Sequence, residues 1–202
     1  MIFCYLMSRP VSYDRADVLD RAMRLFWRRG FEAVTLQDIL DETGFNRHSL
    51  YKEFGDKDGL FTEALEQYEK MSSMYVASPL ESDDGGLDAI RNLFAMRLRA
   101  DVDGIGCLLT NSIIERNLLC DRAVCAVDRF IARMEAALRN AVQVAQRQGT
   151  IPSEKDPSAL ARYLLTVIQG LGTLSKVGMS AEESEEIAEQ TLTFLTLPFA
   201  IA

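Results

Sequence analysis

Apolar residues along this chain of 202 residues recur three and four positions apart, the interval that gathers them on one face of an α-helix. Nowhere does the strict alternation of a half-buried strand appear. The pattern predicts nine helices and an all-α fold. The first spans residues 15–29, with Leu19, Ala22, Met23 and Phe26 as its apolar stripe and Gly30 as its stop. Thr35 is placed to cap the second, whose buried side is Leu36, Ile39 and Leu40. Asp38 stands where it favours the dipole of that helix. Gly44 provides the left-handed residue of a tight turn. Asn46 caps a short third helix, anchored by Leu50 and Phe54, and Asp56 caps a fourth that reaches Tyr75.

Residues 77–86, ASPLESDDGG, break the pattern and read as a loop. Helices follow over residues 87–100 and 107–117, with a loop at 101–106 between them. Asp121 caps a long helix through Gln148. Asp156 with Pro157 opens another to about Val177. Ser180 with Glu183 forms a capping box for the last helix, which stops before Pro198. The expected organisation is a tail over residues 1–12, a helix-turn-helix domain over 13–58 and a larger helical domain over 59–202. The opening MIFCYLMS is apolar but too short for a secretion signal, so a start at Met7, or a loosely ordered tail, is expected there.

Residues 35–60 carry the candidate chemistry. Two short helices around a tight turn are how a helix-turn-helix presents a recognition helix to the DNA major groove. With Leu50 and Phe54 inward, His48 and Lys52 point outward, flanked by Arg47, Ser49 and Tyr51. Arg47 suits the O6/N7 edge of guanine, His48 an acceptor and Ser49 either kind of group. Tyr51 and Lys52 suit phosphate oxygens. Thr35 and Gln37 lie at a helix start, where free N–H groups favour a phosphate, and Lys57 does so at the next. Asn46, the cap of the reading helix, completes the DNA-facing set. The competing reading of these residues is a solvated polar face.

Charge sharpens the picture. The chain carries 22 Lys and Arg against 30 Asp and Glu, a net charge of −8, so it is not basic overall. Residues 1–60 hold nine bases and ten acids, which places most of the negative charge beyond them. A phosphate-facing patch therefore belongs in the N-terminal part. Four cysteines without a C-x-x-C pair, and a single histidine, give no zinc set and no disulfide framework, and point to a reducing cytoplasm. No run is long enough for a membrane helix. No cofactor motif, nucleophile elbow or phosphate loop appears, and Glu182 with Glu183 sits in a capping box, so an enzyme is not expected. A helical protein-interaction module would explain the acidic part but not the polar reading face.

On these residues the chain resembles the TetR family of transcriptional regulators. The resemblance rests on Ala22, Phe26, Gly30 with Phe31, Thr35, Ile39, Thr43 to Phe45, Ser49 to Tyr51, Phe54, Lys57, Leu60 and Phe61. It implies an all-α homodimer that binds a palindromic double-stranded DNA operator and is released by a small-molecule effector. His48 and Gly55 depart from the family's usual residues, which bears on the operator sequence and not on the fold.

The resemblance directs attention to an effector pocket and a dimer face in the C-terminal part. Tyr68, Met71, Met74, Tyr75, Phe94, Leu98, Ile113, Met134, Tyr163 and Val167 are the expected pocket wall, with plain core packing as the alternative for each. Leu164, Ile168, Gly170, Leu171, Gly172, Leu174, Leu192 and Leu195, with Leu165 and Leu197, are the expected dimer face, with an internal helix pair as the alternative. Cys107 and Cys120, with Arg116 and Arg122 nearby, offer a second reading as redox or electrophile sensors against inert burial.

Overall fold

Helix α1 (Arg15–Arg29) starts where the Asp14 carboxylate accepts the Ala16 N–H at 2.9 Å, and stops at Gly30, whose N–H closes on the Phe26 carbonyl. Helix α2 (Leu36–Thr43) and helix α3 (Arg47–Phe54) follow. Leu19, Ala22, Met23 and Phe26 of α1, Ile39 of α2, and Leu50 and Phe54 of α3 are all buried. Phe61 closes this core from the next helix, edge-on to Phe26 at 4.9 Å and tilted on Phe31 at 4.7 Å between ring centroids. The computed structural model describes residues 14–100 and 106–198. The expected tail at 1–12, and residues 101–105 of the expected loop, lie outside the described residues.

Helix α4 (Lys57–Ser72) is capped by Asp56 and runs without a break into a π turn (Ser73–Ala77) and helix α5 (Ser78–Glu81). The loop expected over residues 77–86 is thereby reduced to 82–85. Pro79 explains both the misreading and the geometry. It sits in the first turn of α5, where proline is tolerated, but its missing N–H breaks the regular ladder. The chain widens just before it, and the Ser78 N–H and hydroxyl both reach the Ser73 carbonyl.

The remaining helices are α6 (Gly86–Ala100), α7 (Leu108–Ile114), α8 (Asp121–Arg147), α9 (Pro157–Leu174) and α10 (Ala181–Thr196). Single 3-10 turns (Arg116–Leu118 and Ser175–Val177) follow α7 and α9. Asp156 and Ser180 cap α9 and α10 as expected, the latter in a full capping box with Glu183. Asp121 does not cap α8: Cys120 holds that position and Asp121 is the first helical residue, where its charge still complements the dipole. Counting α4, the π turn and α5 as one rod, the described residues form nine helices and no strand. Helix α8 is the axis of the larger part, packed on α4, α5, α6, α7 and α9. Helix α4 packs on both α1 and α8, so one helix is shared between the head and the body. Among the described residues no helix is long and apolar enough to cross a membrane.

Candidate nucleic-acid interface and effector cavity

The interface is built from caps. Thr35 Oγ1 accepts the Asp38 N–H at 3.1 Å, and Asp38 accepts the Thr35 N–H at 2.8 Å and its hydroxyl at 2.5 Å, a capping box at the start of α2. Those bonds, and then Arg29 at 2.7 Å, hold the Asp38 carboxyl down at about 2. Asn46 Oδ1 accepts the Ser49 N–H at 2.8 Å and fixes the start of α3. Leu50 and Phe54 are buried, which turns Arg47, His48, Tyr51 and Lys52 to solvent and leaves Ser49 half-buried. The α1 cations Arg28 and Arg29 are paired with Glu42 and Asp38. Arg47 and Lys52 meet no acid among the described residues, so their charges face outward. Thr35 and Gln37 are exposed at the start of α2, and the Gln37 amide donates to Asp41 at 2.8 Å.

Lys57 stands apart from the rest of the set. Its ammonium lies 4.3 Å from the centroid of the Phe31 ring, and burial pushes its pKa below the usual lysine range. Its first partner within the fold is therefore an aromatic face on the α1–α2 turn.

Behind the head lies a cavity of about 320 Å³ between α4, the π turn, α6, α7, α8 and α9. Four of the expected wall residues line it: Tyr68, Met71, Tyr75 and Met134. The others are displaced by rotation about their helices. Phe94 is core, and Leu98 and Val167 pack partly buried against the core. Met74 is 67% exposed, and Tyr163 stands outside on α9 against Phe194 at 5.2 Å. Ile113 lines a separate, more open groove. In their place the wall takes Leu93, Met96 and Arg97 of α6, Leu165, Ile168 and Gln169 of α9, and Phe130, Thr110, Cys107, Val76 and Ser72. The α6 and α9 triplets both follow the i, i+3, i+4 spacing of one helix face, the signal by which the sequence could have shown them.

The expected dimer face is likewise turned. Leu164, Ile168, Leu171, Gly172 and Leu195 are buried inside the subunit, because α9 and α10 face the core with them. Leu165 lines the cavity and Leu192 packs against the core. Gly170 has open space beside it. Leu174 and Leu197 are exposed, together with Tyr163, Val177 and Phe194, and these make the apolar outer surface of α9 and α10.

Cys107 is half-buried in the cavity wall. Burial, and then its thiol, push the Tyr68 phenol well above the usual tyrosine range. Cys120 is half-buried elsewhere, 3.7 Å from the Thr62 hydroxyl, and Cys125 is exposed. Arg116, expected to act on Cys120, is held instead in a two-pronged pair with Asp128 at 2.5 and 2.9 Å.

Two links between head and body have no counterpart in the sequence reading. The Trp27 indole N–H donates to the Gly106 carbonyl at 2.8 Å, beside Cys107. Glu115, just past α7, accepts the Phe31 and Glu32 N–H groups at 2.8 and 3.0 Å, across 84 and 83 positions of sequence. Gly30 makes room for that carboxylate: a Cβ there would lie 2.8 Å from it, on a backbone at φ +83°.

The comparisons agree with this architecture. A family model for bacterial regulatory proteins of the TetR family matches residues 18–64, and one for a tetracycline repressor-like C-terminal domain matches residues 86–191. The HTH-type transcriptional repressor ComR of Escherichia coli is 30% identical over 92% of this chain and 90% of its own length. The HTH-type transcriptional regulator YezE of Bacillus subtilis is 31% identical over 94% of this chain and 100% of its own length. The TetR-family regulator CifR, solved with a 26-bp operator DNA, superposes with a TM-score of 0.76 at 25% identity, over 92% of this chain and 98% of that one. With both family models matched in order and relatives aligned nearly end to end, the chain belongs to the TetR family and is a DNA-binding transcriptional regulator, not an enzyme.

Proposed function

We propose that the protein is a ligand-released repressor acting on cytoplasmic DNA. It binds a palindromic double-stranded operator as a homodimer, one α3 per half-site, and lets go when a small-molecule effector fills the cavity. Residues 13–58 do the DNA work, and residues 59–202 sense and pair. One observation carries the reading: the exposed Arg47, His48, Tyr51 and Lys52 stand on a head tied at two points to elements that wall an apolar cavity. Relatives named as repressors support the sign of the response.

In this reading Arg47, His48 and Ser49 meet base edges. Thr35, Gln37, Tyr51 and Lys52 meet phosphates, Lys57 reinforces them from the next helix start, and Asn46 sets the angle of α3. Coupling runs by two routes. The α4 rod passes from the head to the cavity wall. The shorter route is α7, whose first turn contributes Thr110 to the wall and whose far end leads to the Glu115 clasp. An effector moves the equilibrium only by the difference in its affinity for the two states.

A gel-shift with the DNA upstream of the protein's own gene tests the reading. Binding is expected to weaken steeply with salt, because each neutralised phosphate releases counterions. Absence of binding to any inverted repeat in that region sinks it. A second reading is favoured by the place of Cys107 in the wall: a quinone enters the cavity and the Cys107 sulfur adds to its C=C bond, whose electron pair moves to the carbonyl oxygen, which takes up a proton as the thiol loses its own. A quinone that releases wild-type protein and Cys107→Ser alike from DNA removes that reading.

A further inference from the structure

Three residues of the cavity wall are exposed to solvent: Met71 near the end of α4, Tyr75 in the π turn and Met96 of α6, at 37%, 63% and 37%. The rest of the wall is buried or half-buried. The mouth of the cavity therefore lies between the π turn and α6, and Tyr75 is its most exposed part.

The turn that carries Tyr75 is the least regular piece of the rod. The Ser78 N–H bonds to the Ser73 carbonyl, five residues back. Pro79 has no N–H to give to the Tyr75 carbonyl, four residues before it. The ladder is short of a donor just where it widens, so a change between π and α spacing breaks fewer bonds here than in a regular helix. A shift of one residue turns Tyr75 about the helix axis by about 100° relative to α5. Ala77 and Leu80 are buried and anchor the far side of the turn, while Met74 and Tyr75 stand in solvent.

The same turn is gripped from outside. One side chain of α8 holds both its ends: Arg133 Nη1 donates to the Ser73 hydroxyl at 2.7 Å, and Nε and Nη2 fork onto the Glu81 carboxylate at 3.1 and 3.3 Å. Further along α8, the Asn140 amide donates to the Leu80 carbonyl at 2.9 Å. Met134, the neighbour of Arg133 in sequence, lines the cavity.

We propose that the π turn is the door of the cavity, with Tyr75 as its leaf and Arg133 as its latch. A ligand passes between Tyr75 and Met96 when the turn changes register and Arg133 releases Ser73. The proposal rests on the cavity being the effector site. Arg133 is a positioning residue: it acts through the turn and sets how often the mouth opens, not how tightly the closed cavity holds its occupant.

Cys107 lies in the wall and reports entry without the effector. The full chain is treated with N-ethylmaleimide and the cysteine peptides are followed by mass spectrometry. Exposed Cys125 and half-buried Cys120, which does not line the cavity, serve as internal references. Arg133→Met is expected to speed labelling of Cys107 about fivefold, the worth of a well-formed surface ion pair, with Cys120 and Cys125 within about twofold of wild type. Arg133→Lys, which keeps a charge beside Glu81, should fall between. Tyr75→Ala should also speed Cys107, and the double variant should be at most about twofold faster than the faster single one, because a latch is idle without its leaf. An unchanged Cys107 rate in Arg133→Met, or single effects that multiply in the double variant, overturns the proposal. So does a rise at Cys120 in step with Cys107, which would mean general loosening. Operator binding is scored separately by gel-shift: protein that binds no operator yet labels as expected refutes the repressor reading and supports the door.

Discussion

Asp38 does three jobs with one carboxylate: it accepts the Thr35 N–H and hydroxyl and pairs with Arg29. Its folded pKa of about 2 lies below the unfolded value. A depressed acid contributes stability above its unfolded pKa and loses it as pH falls through the folded one. The stability gap between wild type and Asp38→Asn should therefore be flat above about pH 5 and close between about pH 4 and pH 2, read by urea unfolding at each pH. Thr35→Ala, which removes the other half of the box, should cost about 1 kcal/mol at neutral pH. On the reading face the division of labour is testable by base substitution. Arg47→Ala should relax preference at one operator position by about 1–3 kcal/mol, while Lys52→Ala should weaken all sequences alike and lower the salt slope by about one. Equal loss of selectivity from both would refute the division. At this scale the caps were legible because a cap is a local device: Thr35, Asn46, Asp56, Asp156 and Ser180 each bond within three residues of themselves. Glu115 was not legible, because its partners are brought to it only by the fold.

Among elements, α7 is a short helix set between two links to the head, which makes it the proposed carrier of the coupling. It is preceded by Gly106 and Cys107, bonded to Trp27 and facing the cavity, and followed by Glu115 on the α1–α2 turn. A Glu115→Gln variant keeps one acceptor oxygen but loses the charge that holds two N–H groups. It should fold, bind operator within about threefold of wild type and bind effector, yet need at least about fivefold more effector for release. Wild-type release with a broken clasp would transfer the coupling to α4 alone. Helix positions were legible from periodicity, but which edge of a wide apolar stripe faces a cavity was not. On α6 the expectation took Phe94 and Leu98, and the cavity took Leu93, Met96 and Arg97. The same ambiguity turned α9: its stripe covers enough of the helix to serve core and cavity, so Leu164, Ile168 and Leu171 point inward. The π turn was hidden for a different reason, since Ser, Pro, Asp and Gly mark both loops and helix starts.

For the whole molecule, the proposed pairing of subunits would decide whether two α3 helices can reach successive half-sites, about 34–36 Å apart on one face of DNA. The outer surface of α9 and α10 presents Tyr163, Leu174, Phe194 and Leu197 to solvent in the single chain. If that surface pairs the subunits, Phe194→Glu and Leu197→Glu should each shift the sedimentation coefficient from dimer to monomer at micromolar concentration. Operator affinity should fall at least about tenfold with the dimer, because two half-sites no longer bind as one. Unchanged sedimentation would place the pairing surface elsewhere. The outline at this scale, a helix-turn-helix head on a larger all-α body, was legible from the first 60 residues. The body's working surfaces depend on which helices touch, a property that no single helix records.

Trp27 is the only tryptophan of the chain, and its indole touches both parts of the machine: the N–H on the Gly106 carbonyl, and the ring edge-on to Tyr68 at 4.9 Å. The protein therefore carries its own optical probe at the junction of head and body. A ligand in the cavity would lie against Tyr68 and so should change the wavelength and intensity of a single emitter, with no dye and no second fluorophore to subtract. Stopped-flow emission would then time the junction's rearrangement apart from the departure of DNA, and Trp27→Phe would leave that signal dark.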